Sequence, residues 1–105
     1  MSPLDALRAA RRHGVEVIAA HGSLHLHARM APPDWVWRAL AERKAAIIDL
    51  LRPDAGGWTG EDWAVFFEER AAILEYDHGL TRLEAEIRAH EQTEAERARR
   101  LDAAA

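Results

Sequence analysis

The chain has 105 residues, room for one small domain and an appended segment, and 22 of its 51 hydrophobic residues are alanine. Without cysteine it has no disulfide, no thiolate metal site and no cysteine nucleophile. No apolar run is long enough to span a bilayer and no secretion signal is visible, so a soluble, cytoplasmic protein is expected. The net charge of −4 divides unevenly. Residues 1–53 carry eight Lys/Arg against five Asp/Glu, whereas residues 54–105 carry six against thirteen. Such asymmetry points to partners, but the chain lacks the excess of positive charge typical of nucleic-acid binders.

Ser2 is placed to cap a first helix, with Pro3 at its first position and Asp5 three residues after the cap. Leu4, Leu7 and Ala10 form its apolar stripe, and Gly14 ends it. The period then changes to two. Val15, Val17 and Ala19 alternate with Glu16 and Ile18, and Leu24, Leu26 and Ala28 alternate with His25, His27 and Arg29. Ala20-His21-Gly22-Ser23 between them predicts a β-hairpin with one aliphatic face and one face bearing the two histidines and Arg29. Pro32-Pro33-Asp34 opens the next helix, with Val36, Trp37 and Leu40 inward. Ile47, Ile48, Leu50 and Leu51 continue at helical spacing after a bend near Glu42–Lys44, up to Pro53.

Residues 53–60 predict a hinge. A helix from about Glu61 to Tyr76 follows, with Trp63, Phe66, Phe67, Arg70, Ile73 and Leu74 as its buried stripe. Thr81 and Glu84 form a capping box for the last helix, whose Leu83 and Ile87 are expected to pack back on the aromatic helix. Past His90 the chain is rich in Glu, Arg and Ala, and a solvated end is expected. The predicted fold class is α+β: an αββαα domain over 1–52, a hinge over 53–60, and a helical hairpin over 61–105.

The order Leu4-x-x-Leu7, Gly14-Val15-Glu16-Val17, Gly22-Ser23-Leu24-His25-Leu26-His27 and Leu40-x-x-x-Lys44-Ala45-x-Ile47-Ile48-x-x-Leu51 resembles TubC-type N-terminal docking domains of nonribosomal peptide synthetase subunits. The resemblance implies a homodimer that binds an acidic C-terminal peptide from a partner protein along the hairpin, with His25, His27 and Arg29 at the contact. The family commonly has arginine where this chain has the two histidines, which makes the expected site sensitive to pH. About fifty residues follow, which suggests a freestanding relative. Within residues 58–90, Trp63-x-x-Phe66-Phe67-Glu68-Glu69-Arg70-Ala71-Ala72-Ile73-Leu74 resembles a segment of bacterial and phage mobile-element proteins.

No catalytic constellation stands out. Ser2 and Ser23, the only serines, suit a cap and a turn, and no glycine-rich loop follows a strand. His25 and His27 share a strand face but lack a third ligand, so neither a metal nor another cofactor is expected. The aromatic stripe is different. A two-helix hairpin with about a dozen large apolar side chains over fifty residues offers too little cover for it. Trp58, Trp63, Phe66 and Phe67 are therefore expected at an association interface. The reading is a non-enzymatic docking or adaptor module that self-associates as a dimer and binds an acidic peptide. One alternative is a mobile-element factor touching nucleic acid through Arg8, Arg11, Arg12, Arg43 and Lys44. Another is an inhibitor presenting an acidic helix.

Overall fold

Five helices and one two-stranded antiparallel sheet make up the computed structural model, which describes residues 1–105 and is of the α+β class. They divide into two units, Met1–Arg52 and Pro53–Ala105.

In the first unit α1 (Pro3–Arg12) starts with a capping box. The Ser2 hydroxyl accepts from the Asp5 N–H at 3.0 Å, and the Asp5 carboxylate accepts from the Ser2 N–H at 3.1 Å. Two of the helix's otherwise unpaired donors are thereby satisfied. Strands β1 (Val15–Ala20) and β2 (Ser23–Ala28) pair from Val15 opposite Ala28 to Ala20 opposite Ser23. His21 and Gly22 close the hairpin with φ of 54° and 72°. Positive φ at both central residues is the signature of the turn whose twist suits a hairpin.

Helices α2 (Asp34–Glu42) and α3 (Lys44–Leu51) are separated at Arg43, as the expected bend requires. Its guanidinium donates to the Met1 carbonyl at 2.8 Å and to the Ala39 carbonyl in the last turn of α2 at 3.3 Å. The core of this unit joins Ala6, Leu7 and Ala10 of α1, Val15 and Val17 of β1, Val36, Ala39 and Leu40 of α2 and Ile47 of α3. Leu4 is only half-buried, because Ala6 and Ala9 share the inner face of α1.

The second unit begins with an ordered loop where a hinge was expected. One carboxylate oxygen of Asp54 accepts from the N–H groups of Gly56 at 2.9 Å and Trp58 at 3.0 Å. The other accepts from the Trp63 indole N–H at 2.9 Å. An Asp that bonds its own downstream backbone builds a turn from its side chain, and here it also ties that turn to α4 (Gly60–Tyr76). Thr59 and Asp62 form the capping box of α4, and Thr81 and Glu84 that of α5 (Arg82–Ala104).

Helices α4 and α5 meet through small residues. Ala71 and Leu74 pack on Ala85 and Ala89, with Phe67 and Leu80 at the margin. This corrects the expected packing of α5. Leu83 and Ile87 are 69% and 54% exposed, and the inner line is Ala85, Ala89 and Thr93. The centres of the two lines lie about 140° apart around the helix, at about 100° per residue. Bulk on α4 needs smallness on α5, and the Ala line supplies it. Arg82 pairs with Glu75 of α4 at 3.0 Å and with Glu86 one turn on at 2.9 Å. On α4 the stripe is likewise corrected: Ala71 is buried, whereas Arg70 and Ile73 are exposed. Thr93 is buried without cost because its hydroxyl donates to the Ala89 carbonyl at 2.7 Å.

Candidate functional site

Strand β2 is the structural centre of the candidate site. Its period-two pattern sends alternate side chains to opposite faces of the hairpin. On the outer face His25 lies opposite Ile18 and His27 opposite Glu16, all four exposed, and Arg29 follows just past the strand, also exposed. His27 thus already has a carboxylate-bearing residue as its cross-strand neighbour. The three residues expected to bind a peptide come together along one strand, with Arg29 beyond its last paired residue.

The inner face was expected to be covered, and it is so only under β1. Val15 and Val17 are buried, but Leu24 is half-buried and Leu26 is 39% exposed. Beside them lies an apolar groove of about 300 Å3, lined by Leu24 and Leu26 of β2, Trp37, Leu40 and Ala41 of α2, and Lys44 at the start of α3. Trp37 and Ala41 are one helical turn apart, so they share the wall facing the strand. Sequence reasoning missed this groove. Its only trace was that the Leu24-Leu26 pair is paired with a single tryptophan and small residues instead of a second bulky helix face.

The outer edge of β2 has no third strand. In a hairpin closed by a two-residue turn, the pair flanking the turn exchanges hydrogen bonds and bonded pairs then alternate. With Ala20 opposite Ser23 next to the turn, Leu24, Leu26 and Ala28 direct N–H and C=O outward. The groove and the free backbone groups therefore belong to the same residues. A chain laid along this edge would send alternate side chains over the groove and past His25, His27 and Arg29.

The residues of the nucleic-acid alternative lie on α1, at the α2–α3 junction and at the start of α3. Arg43 is occupied by the Met1 and Ala39 carbonyls and by Glu42 at 3.2 Å. Arg8 and Arg11 have partners in the structure, Arg12 is exposed at the end of α1, and Lys44 stands at the groove. No three His, Asp or Glu side chains come together as metal ligands.

The aromatic cluster of the second unit is also built differently from expectation. Trp63 is 4% exposed, so it is core. Trp58 folds onto it from the loop with ring centres 4.5 Å apart, and Phe66 meets it edge-on at 5.7 Å. The polar end of α5 supplies the remaining cover: Arg97 lies 5.6 Å from the Trp63 ring centre and Arg100 4.1 Å from that of Trp58. Guanidinium groups stack on aromatic faces while their stems cover apolar surface. The segment past His90, expected to be merely solvated, is thus part of this unit's fold. Phe66 and Phe67 are half-buried, and the shortage of cover inferred from composition does not extend to Trp63.

Two carboxylates record this arrangement electrostatically. The Trp63 indole hydrogen bond, then the Trp58 and Gly56 N–H groups and the Arg97 charge, hold Asp54 below the usual carboxylate range. The hydrogen bond from Arg99, then its charge and the bond from Arg100, draw Glu96 down to about 2. The first shift reflects the tie between the loop and α4, the second reflects pairs within α5, and neither suits a proton-transfer role near neutral pH. No protein-family model matches the chain, and neither the curated proteins nor the solved structures contain a match to it.

Proposed function

We propose that the chain is a non-enzymatic docking module that takes an extended, acidic peptide along the outer edge of β2 and self-associates. The single observation that carries this reading is the coincidence on β2 of an unpaired edge, an apolar groove and the basic side chains of His25, His27 and Arg29. Strand addition draws affinity from main-chain hydrogen bonds and specificity from pockets for alternate side chains. The groove of Leu24, Leu26 and Trp37 suits an apolar side chain, with Lys44 beside it for a carboxylate. On the other face, acidic side chains of the same peptide would run past His25, His27 and Arg29. The αββαα order of residues 1–52 supports the resemblance to docking domains, which suggests the same use of the hairpin.

Titration of the full chain with a ten-residue peptide alternating Leu with Glu tests the reading. The expected result is micromolar binding that moves the Trp37 indole resonance, at least tenfold weaker for a peptide with Lys in place of Glu. Leu26→Glu puts charge at an exposed groove position and should lower affinity at least tenfold with the fold intact. Equal binding of the acidic and basic peptides, or binding indifferent to Leu26→Glu, would refute it.

A further inference from the structure

The outward face of α5 carries Leu83, Ile87 and Leu101, the last 45% exposed. With His90, Glu94 and Arg97 between them, they fall at steps of four, three, four, three and four residues. That is the seam spacing of a helix that packs on another helix. The seam is also self-complementary on reversal. An antiparallel pairing joins residues whose numbers have a constant sum, and centred at Gln92 it sets Leu83 against Leu101, Ile87 against the stem of Arg97 and His90 against Glu94, each twice. The charges reverse in the same sense. Residues 84–94 hold four glutamates against Arg88, whereas residues 96–102 hold Arg97, Arg99 and Arg100 against Glu96 and Asp102. End-to-end reversal lays the acidic stretch beside the basic one, and a parallel pairing lays acid on acid.

We propose that a second copy of this chain covers this face, α5 against α5 in antiparallel orientation. The proposal deepens the self-association half of the reading above and moves it from the aromatic cluster, whose central ring is buried, to the exposed face of α5. Glu94 already lies 3.9 Å from Arg97 of its own helix, so the His90 contact extends an existing pair. Glu91 faces its own copy near the two-fold axis, and only three large apolar side chains per copy line the seam. Association is therefore weak, with a dissociation constant on the order of 100 µM.

Sedimentation equilibrium of the full chain from about 5 µM to about 1 mM tests it, since weak pairing on this scale must appear within that range. The expected mass rises from 11.8 kDa towards twice that value. Leu83→Glu, which sets a charge against Leu101, should leave the chain monomeric throughout with unchanged helicity. Glu94→Lys should weaken association, and His90→Glu combined with Glu94→Lys should restore it. Because the chain has no cysteine, a single spin label reports orientation. Labels at residue 91 should lie close together in the dimer, and labels at residue 102 about 30 Å or more apart, from twenty residues at 1.5 Å each. A chain monomeric up to about 1 mM overturns the proposal, whether the face stays bare or residues 1–52 cover it. A dimer indifferent to Leu83→Glu, or with short distances at both labels, overturns it too. A monomer that still binds the acidic peptide refutes the seam alone and leaves the docking reading standing.

Discussion

Replacing Ala89 by leucine tests the rotational setting of α5 directly. Ala89 is fully buried against α4, where Ala71 and Leu74 leave no space for three further carbon atoms. Overpacking at a site of this kind costs about 1–3 kcal/mol. With a denaturant slope of about 1 kcal/mol per molar urea for so small a unit, the midpoint of the second unit should fall by roughly 1–3 M. The partner substitution is Ile87→Ala. Ile87 is more than half exposed, so its truncation removes little packing and slightly improves helix propensity, leaving stability within about 0.5 kcal/mol. Both variants are followed through the Trp63 indole resonance during urea unfolding, at a few micromolar to exclude self-association. The opposite ranking would refute the reasoning: Ile87→Ala costing several kcal/mol while Ala89→Leu is tolerated would mean that the larger side chains face α4.

Acid should loosen the second unit. Asp54 and Glu96 titrate below their ordinary values of 3.8 and 4.5 when folded. The unfolded chain therefore takes up protons first, and the stability these groups confer is present above about pH 4.5 and lost as pH falls towards about 2. Asp54→Asn should flatten that dependence in a pH titration of the Trp63 indole resonance, and an unchanged acid transition would show that the loop does not depend on the carboxylate. In the first unit, Leu40→Ala removes a fully buried side chain at the junction of α1, α2 and β1, and should cost about 2–5 kcal/mol in thermal or urea unfolding, with a loss under 1 kcal/mol refuting its place in the core. Gly22→Val in the hairpin turn should destabilise the first unit and broaden the β2 resonances, because a β-branched residue at φ 72° is strained; a spectrum unchanged through β2 would count against that turn.

Local chemistry made much of the fold legible. Ser2 with Asp5 and Thr81 with Glu84 announced two helix starts, and His21-Gly22 between alternating runs announced the hairpin. Thr59 with Asp62 has the same three-residue spacing, and the helix start it marks was readable by the same rule. What was not legible depended on side chains meeting across distance. Nothing near Asp54 in sequence indicates that its carboxylate reaches an indole nine residues on. The groove by Leu26 arises because α2 offers Trp37 and Ala41, one large and one small residue, to a strand face wider than they cover.

The misreading of α5 has a physical source that bears on function. Counting large side chains directs attention to Leu83 and Ile87, because burying them gains most. Yet close packing is set by the volume of both surfaces together. Helix α4 brings Trp63, Phe67 and Leu74, so the partner that fits best is the line with the least bulk, Ala85 and Ala89. Once the Ala line faces inward, Leu83 and Ile87 must face outward, and the free energy of covering them remains to be gained by association. Substituting Ala85 or Ala89 by larger residues would thus perturb two properties at once, the internal packing of the unit and the presentation of its outer seam. Leu83→Glu should perturb only the second.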